Sequence, residues 1–100
     1  MNISTIIKKE VQQLYANSEV ILFGSRARQD HRPDSDWDFL ILLDKNELTK
    51  KEKSEIRDKL YEVELNAEQV ISTLIHTKSD WEKLSVTPIY QIIQKEGVRA

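Results

Sequence analysis

Val20-Ile21-Leu22-Phe23-Gly24-Ser25-Arg26-Ala27-Arg28, followed after a polar loop by Ser35-Asp36-Trp37-Asp38-Phe39-Leu40-Ile41-Leu42-Leu43, is the stretch that decides the fold. Val20 to Phe23 is a short unbroken apolar run, the pattern of a buried strand. Gly24 stops it, and a glycine there allows a sharp turn and close approach to the backbone. Pro33-Asp34-Ser35 marks a loop. Trp37 to Leu43 then reads as a second strand. Side chains alternate across a strand, so Trp37, Phe39, Ile41 and Leu43 share one face while Asp36, Asp38, Leu40 and Leu42 share the other.

Outward from this centre, Ile3, Ile6, Ile7, Val11, Leu14 and Tyr15 recur at helical spacing and predict an amphipathic helix over 3–16. Thr49 and Glu52 have the spacing of a capping box, opening a helix whose Ile56, Leu60 and Val63 lie on one side. Val70 to Ile75 is rich in β-branched residues and suits a third strand. Ser79 and Glu82 form another capping-box pair before a short helix around Trp81. Pro88 after Thr87 fits the first turn of a last helix, which Gly97 ends. The expected architecture is an α/β (α+β) domain, with a small mixed sheet of three to four strands flanked by helices. One hundred residues, 1–100, fit a single domain.

A formal net charge of -2 gives no general pull toward nucleic acid or an acidic membrane surface. The chain has no cysteine, which excludes disulfides, zinc–thiolate sites and thiol nucleophiles. No stretch approaches the ~18 apolar residues that span a bilayer, and Met1 to Glu10 lacks the apolar core of a signal peptide. The expectation is a cytoplasmic protein.

The chemistry is carried by two strand ends. Residues 26–29 suit a short helical turn behind Gly24 and Ser25, with amides facing back toward the glycine as an anion site, and Arg26, Arg28 and Arg32 stand nearby. Asp36 and Asp38 leave one face of a strand roughly 6.5 Å apart. Carboxylates so placed can converge on hard cations such as Mg2+, which keep substrate phosphates among their ligands. An Asp-x-Asp alone is more often a solvated loop. Paired with the glycine turn it becomes specific. Trp37, between the aspartates, points away from them toward the core. His31 and His76 read as surface residues, Trp81, Ile89 and Tyr90 as a satellite of the core, and Lys50-Lys51-Glu52-Lys53 as the wet face of a helix.

Gly24-Ser25-Arg26-Ala27-Arg28 and Ser35-Asp36-Trp37-Asp38-Phe39-Leu40-Ile41 together resemble the signature of the polymerase-beta-like nucleotidyltransferase superfamily, most closely its minimal nucleotidyltransferases. The resemblance implies the nucleotidyltransferase fold. It implies that Gly24 and Ser25, with Arg26, Arg28 and Ser35, hold the phosphates of ATP or another nucleoside triphosphate, and that Asp36 and Asp38 ligate two Mg2+ ions. The implied reaction transfers a nucleoside monophosphate, most often AMP, to an acceptor hydroxyl. Short members often pair with a helical HEPN-domain protein in toxin–antitoxin modules, so the implied role is an antitoxin that adenylylates or masks its partner. A second copy of the chain is a further candidate partner.

Two positions depart from the family pattern. Gln29 stands where a glycine is common, a change that is tolerable where the local backbone is not left-handed. Active members also carry a third carboxylate on a later strand, and Val70 to Ile75 contains none. Glu68, just before that strand, is the candidate substitute; Glu62 and Glu64 precede it. The rival reading is a catalytically degenerate module that binds nucleotide or masks a partner without transfer.

Overall fold

A computed structural model describes residues 2–100. Its elements run α1 (Ile3–Leu14), β1 (Glu19–Phe23), α2 (Ser25–Arg28), β2 (Trp37–Leu43), α3 (Lys50–Ala67), β3 (Ile71–Thr77), α4 (Lys78–Lys83), α5 (Pro88–Glu96) and β4 (Val98–Arg99). The described strands form a four-stranded sheet in the order β3-β2-β1-β4. β2 pairs parallel with β3 and antiparallel with β1, which pairs antiparallel with β4, so the sheet is mixed as expected.

The alternation along β2 divides the molecule into two cores. Phe39, Ile41 and Leu43 pack with Ile3, Ile7 and Val11 of α1 and with Ile56, Leu60 and Val63 of α3. Leu40 and Leu42 pack on the opposite face with Trp81 of α4 and with Tyr90 and Ile93 of α5. β2 is therefore apolar on both sides and lies at the centre of the sheet. Each fully buried Leu, Ile or Phe contributes roughly 1.5–3 kcal/mol through area removed from water. Removing the Phe39 ring would cost about 3–5 kcal/mol.

Apart from α2, the described helices begin where short polar side chains satisfy their first amides. The Asn2 side chain accepts from the Thr5 amide at 3.3 Å. Thr49 and Glu52 form the expected capping box, with bonds of 3.1 and 3.0 Å. Thr87 caps α5, with Pro88 in its first turn.

Three details differ from the sequence reading. α1 ends at Leu14 rather than 16. α4 is capped by Thr77, whose Oγ1 accepts from the Asp80 amide at 3.1 Å, and not by Ser79. β3 runs on to Thr77, so the cap lies at the end of the strand and Ser79 already falls inside the helix. Finally, Gly97 is followed by β4, a strand the sequence reading did not contain. Among the described residues, no helix is long and apolar enough to cross a membrane.

Candidate functional site

Phe23 ends β1 directly opposite Asp38 near the start of β2. Antiparallel pairing thus brings the glycine turn and the acidic pair to the same end of the sheet. Gly24 has φ 78° and ψ -160°, a conformation that side chains avoid. A Cβ added to Gly24 would overlap the Asp38 carboxylate oxygen Oδ2. The bare Cα at position 24 is what lets the turn and the carboxylate share this space. Ser25 opens α2, and the Ala27 and Arg28 amides both donate to the Gly24 carbonyl at 3.1 Å.

The arginines divide their work. Arg26 lies 4.2 Å above the Trp37 ring and donates to the carbonyls of Ser35 and Pro33 at 3.0 Å. The Ser35 hydroxyl accepts from the Arg32 amide at 2.9 Å. Arg26 and Ser35, both expected to hold phosphate, are engaged in shaping the loop that carries Asp36. Trp37 faces away from the aspartates, as expected. It stacks on Phe39 at 6.3 Å, and its indole N–H donates to Gln69 at 3.2 Å. Arg28 reaches the turn. It pairs with Asp30 at 3.1 Å and with Glu96 at 3.0 Å.

Asp36 is exposed and Asp38 is half-buried. Burial, followed by the charge of Asp36, pushes the Asp38 carboxyl above its ordinary value; Arg28 opposes this and Glu96 adds to it. Burial and the neighbouring carboxylate thus disfavour the bare charge on Asp38, a cost that a hard divalent cation bound by the two carboxylates would relieve. Among the described residues, no group of three His, Cys, Asp or Glu side chains is arranged to hold a metal. The protein would supply two carboxylates and leave the remaining ligand positions to phosphate and water, which suits Mg2+.

Beside Asp38 opens a cleft of about 340 Å3, lined by Phe23, Ser72, Leu74, His76, Trp81, Leu84 and Ile89 among others. His76 was expected on the surface. It is instead half-buried, with its ring 5.6 Å from Trp81. Burial and then Lys53 hold its imidazole below the ordinary value, against the pull of Asp80. Its position on a strand face shared with Leu74 was the sequence signal for this. Trp81 and Tyr90 are core residues as read, whereas Ile89 is exposed at the rim.

The third carboxylate is the sharpest discrepancy. The β3 residue level with Asp38 is Ser72. Glu68 is exposed and forms the left-handed C-cap of α3. Glu64 accepts from the Ile71 amide at 2.6 Å, and Glu62 is exposed beside Lys59. The carboxylate brought to the turn is Glu96, the last residue of α5. It accepts from the Gly24 amide at 3.0 Å, and Arg28 and that amide hold its carboxyl below the ordinary range. Nothing in the local sequence announces a contact spanning 72 residues. The condition set for Gln29 also fails. Its backbone is left-handed, with φ 62° and ψ 26°, at the C-cap of α2.

Comparison with known proteins agrees with this fold. The model of the nucleotidyltransferase domain family matches residues 4–99. A Methanocaldococcus jannaschii protein named "Putative protein adenylyltransferase MJ0141" is 40% identical over 78 residues, spanning 78% of this chain and 72% of the relative. A solved structure described as "Crystal structure of the toxin-antitoxin with AMP-PNP" superposes with a TM-score of 0.69 at 17% identity, covering 98% of this chain and 72% of that one. At that identity the superposition speaks for the fold. The glycine turn packed against Asp38, the mixed sheet that sets it there and a family match across nearly the whole length lead to one statement: the chain belongs to the nucleotidyltransferase domain family.

Proposed function

We propose that this domain carries out Mg2+-dependent transfer of a nucleoside monophosphate, AMP from ATP, to a hydroxyl on a partner protein. The observation that carries the reading is the close packing of Gly24 against the Asp38 carboxylate, which puts the backbone of the glycine turn beside the acidic pair. Gly24 and Ser25 receive the triphosphate, while Asp36 and Asp38 hold two Mg2+ ions. Bound there, the ions supply neutralisation of charge on the transferring group. Orientation of the reacting phosphorus follows from the rigid antiparallel pairing of Phe23 with Asp38.

The name of the Methanocaldococcus jannaschii relative supports a protein as acceptor. The described toxin–antitoxin neighbour supports a partner, which we take to be a helical HEPN-type toxin, with this chain as its antitoxin.

Ser72 favours a second reading. With a hydroxyl level with Asp38 and no carboxylate anywhere on β3, the acceptor proton lacks an evident base. The domain would then bind nucleotide or mask its partner without turnover. Incubation with α-labelled ATP, Mg2+ and the partner separates the two. Label that moves to the partner, and is lost in the Asp36→Asn/Asp38→Asn double variant, supports transfer. An unlabelled partner that is nonetheless inhibited supports masking.

A further inference from the structure

Glu96 is placed as an anion would be. Its Oε1 accepts from the Gly24 amide at 3.0 Å and from Arg28 Nη1 at 3.2 Å, and its Oε2 accepts from Arg28 Nη1 at 3.0 Å. A backbone amide at a glycine turn plus a guanidinium is the donor set that commonly receives a phosphate oxygen. The Glu96 side chain is only 16% exposed, so it is seated rather than loosely paired. The chain also tethers it. Gly97 follows, and Leu22 pairs with Val98 and Ile21 with Arg99, fastening the segment beyond Glu96 to β1.

A third-ligand role for Glu96 in a metal site fits these contacts poorly. Both carboxylate oxygens are held by donors. Among the described residues the site lacks a three-residue group arranged around a cation.

We propose that Glu96 is an affinity-determining residue of the nucleotide site: it occupies the Gly24 amide and the Arg28 guanidinium, and a nucleoside triphosphate binds by displacing it. This rests on the reading of Gly24 and Arg28 as phosphate-binding groups. A tethered occupant competes at a fixed effective concentration. It lowers the apparent affinity of the ligand by the fraction of molecules in which the donors are open. If that fraction is about one tenth, removing the carboxylate tightens binding about tenfold.

The test is titration of the full chain with Mg2+ and the non-hydrolysable triphosphate AMP-PNP, by calorimetry, for the wild type, Glu96→Gln and Glu96→Ala. Glu96→Ala should bind about tenfold tighter than wild type. Glu96→Gln should fall between, because its amide oxygen still accepts from Gly24 but carries no charge. Should Glu96→Ala fold poorly, Glu96→Gln still decides. The Gly24 amide resonance of the wild type gives a second readout, and it should shift when AMP-PNP is added. Equal or weaker binding by the folded variants, with wild type still binding, overturns the role of Glu96 alone. Absence of binding in all three proteins overturns the phosphate-site reading beneath it.

Discussion

Asp38 on β2 stands level with Ser72 on β3 in the parallel pairing of the two strands. Neighbours at one level of a parallel pair project to the same face. Ser72 is exposed and lines the cleft beside Asp38. A carboxylate at position 72 would complete the acidic cluster and supply a base for the acceptor hydroxyl. General-base catalysis is worth roughly 10²–10⁴-fold. Ser72→Asp should therefore raise the rate of AMP transfer to partner by at least about tenfold, read with α-labelled ATP. An unchanged rate would remove the missing carboxylate as the limit on turnover.

Gly24 tolerates no side chain for two independent reasons. Its φ is positive, and the added carbon would overlap Asp38 Oδ2. Gly24→Ala should lower the unfolding free energy by about 1–3 kcal/mol. It should also abolish AMP-PNP binding, because either the turn or the carboxylate must move. Urea denaturation and calorimetry check both parts. A variant as stable as wild type that still binds nucleotide would contradict the close approach.

Gln29 offers the reverse experiment. It holds a left-handed backbone at the end of α2, which glycine adopts without steric cost. Left-handed geometry costs a side-chain-bearing residue about 1–2 kcal/mol, and glycine loses part of this advantage through its freer unfolded chain. Gln29→Gly should raise stability by about 0.5–1 kcal/mol, seen as a higher denaturant midpoint with unchanged slope. A lower midpoint would show that Gln29 is not strained.

His76 should make stability depend on pH. Burial and Lys53 hold its imidazole below the ordinary value of 6.5, so the unfolded chain takes up a proton that the folded chain resists. Stability is complete above that ordinary value and falls as the pH drops below it, toward the lower folded value. Denaturation midpoints collected across this window should decline for the wild type. His76→Asn should flatten the decline; an equally steep profile in the variant would assign it to other groups.

Much of this could be read directly from residues. The two-residue alternation of β2 gave the two faces of that strand, which the structure covers with separate cores, and Asp36 and Asp38 simply interrupt one of those faces. Thr49 and Thr87 announced their helices because capping is a local interaction. Two of the misses, β4 and Glu96, depend on contacts distant along the chain. β4 is two residues long and made by backbone pairing with β1, so Val98 and Arg99 carry no pattern to detect. Glu96 finds Gly24 only after α5 has packed on the sheet. Thr77 escaped notice as a cap because the end of a strand is poorly marked when a helix follows without a loop. His76 lies on the cleft face only if β3 is in register with β2, which spacing alone does not fix.

β4 has a practical bearing. The Ala100 amide donates to the Val20 carbonyl at 3.0 Å, so this stretch of chain is laced to the strand that leads into the glycine turn. A fluorophore coupled at Ala100 would therefore be anchored rather than trailing, and its anisotropy should sense loosening of that lacing.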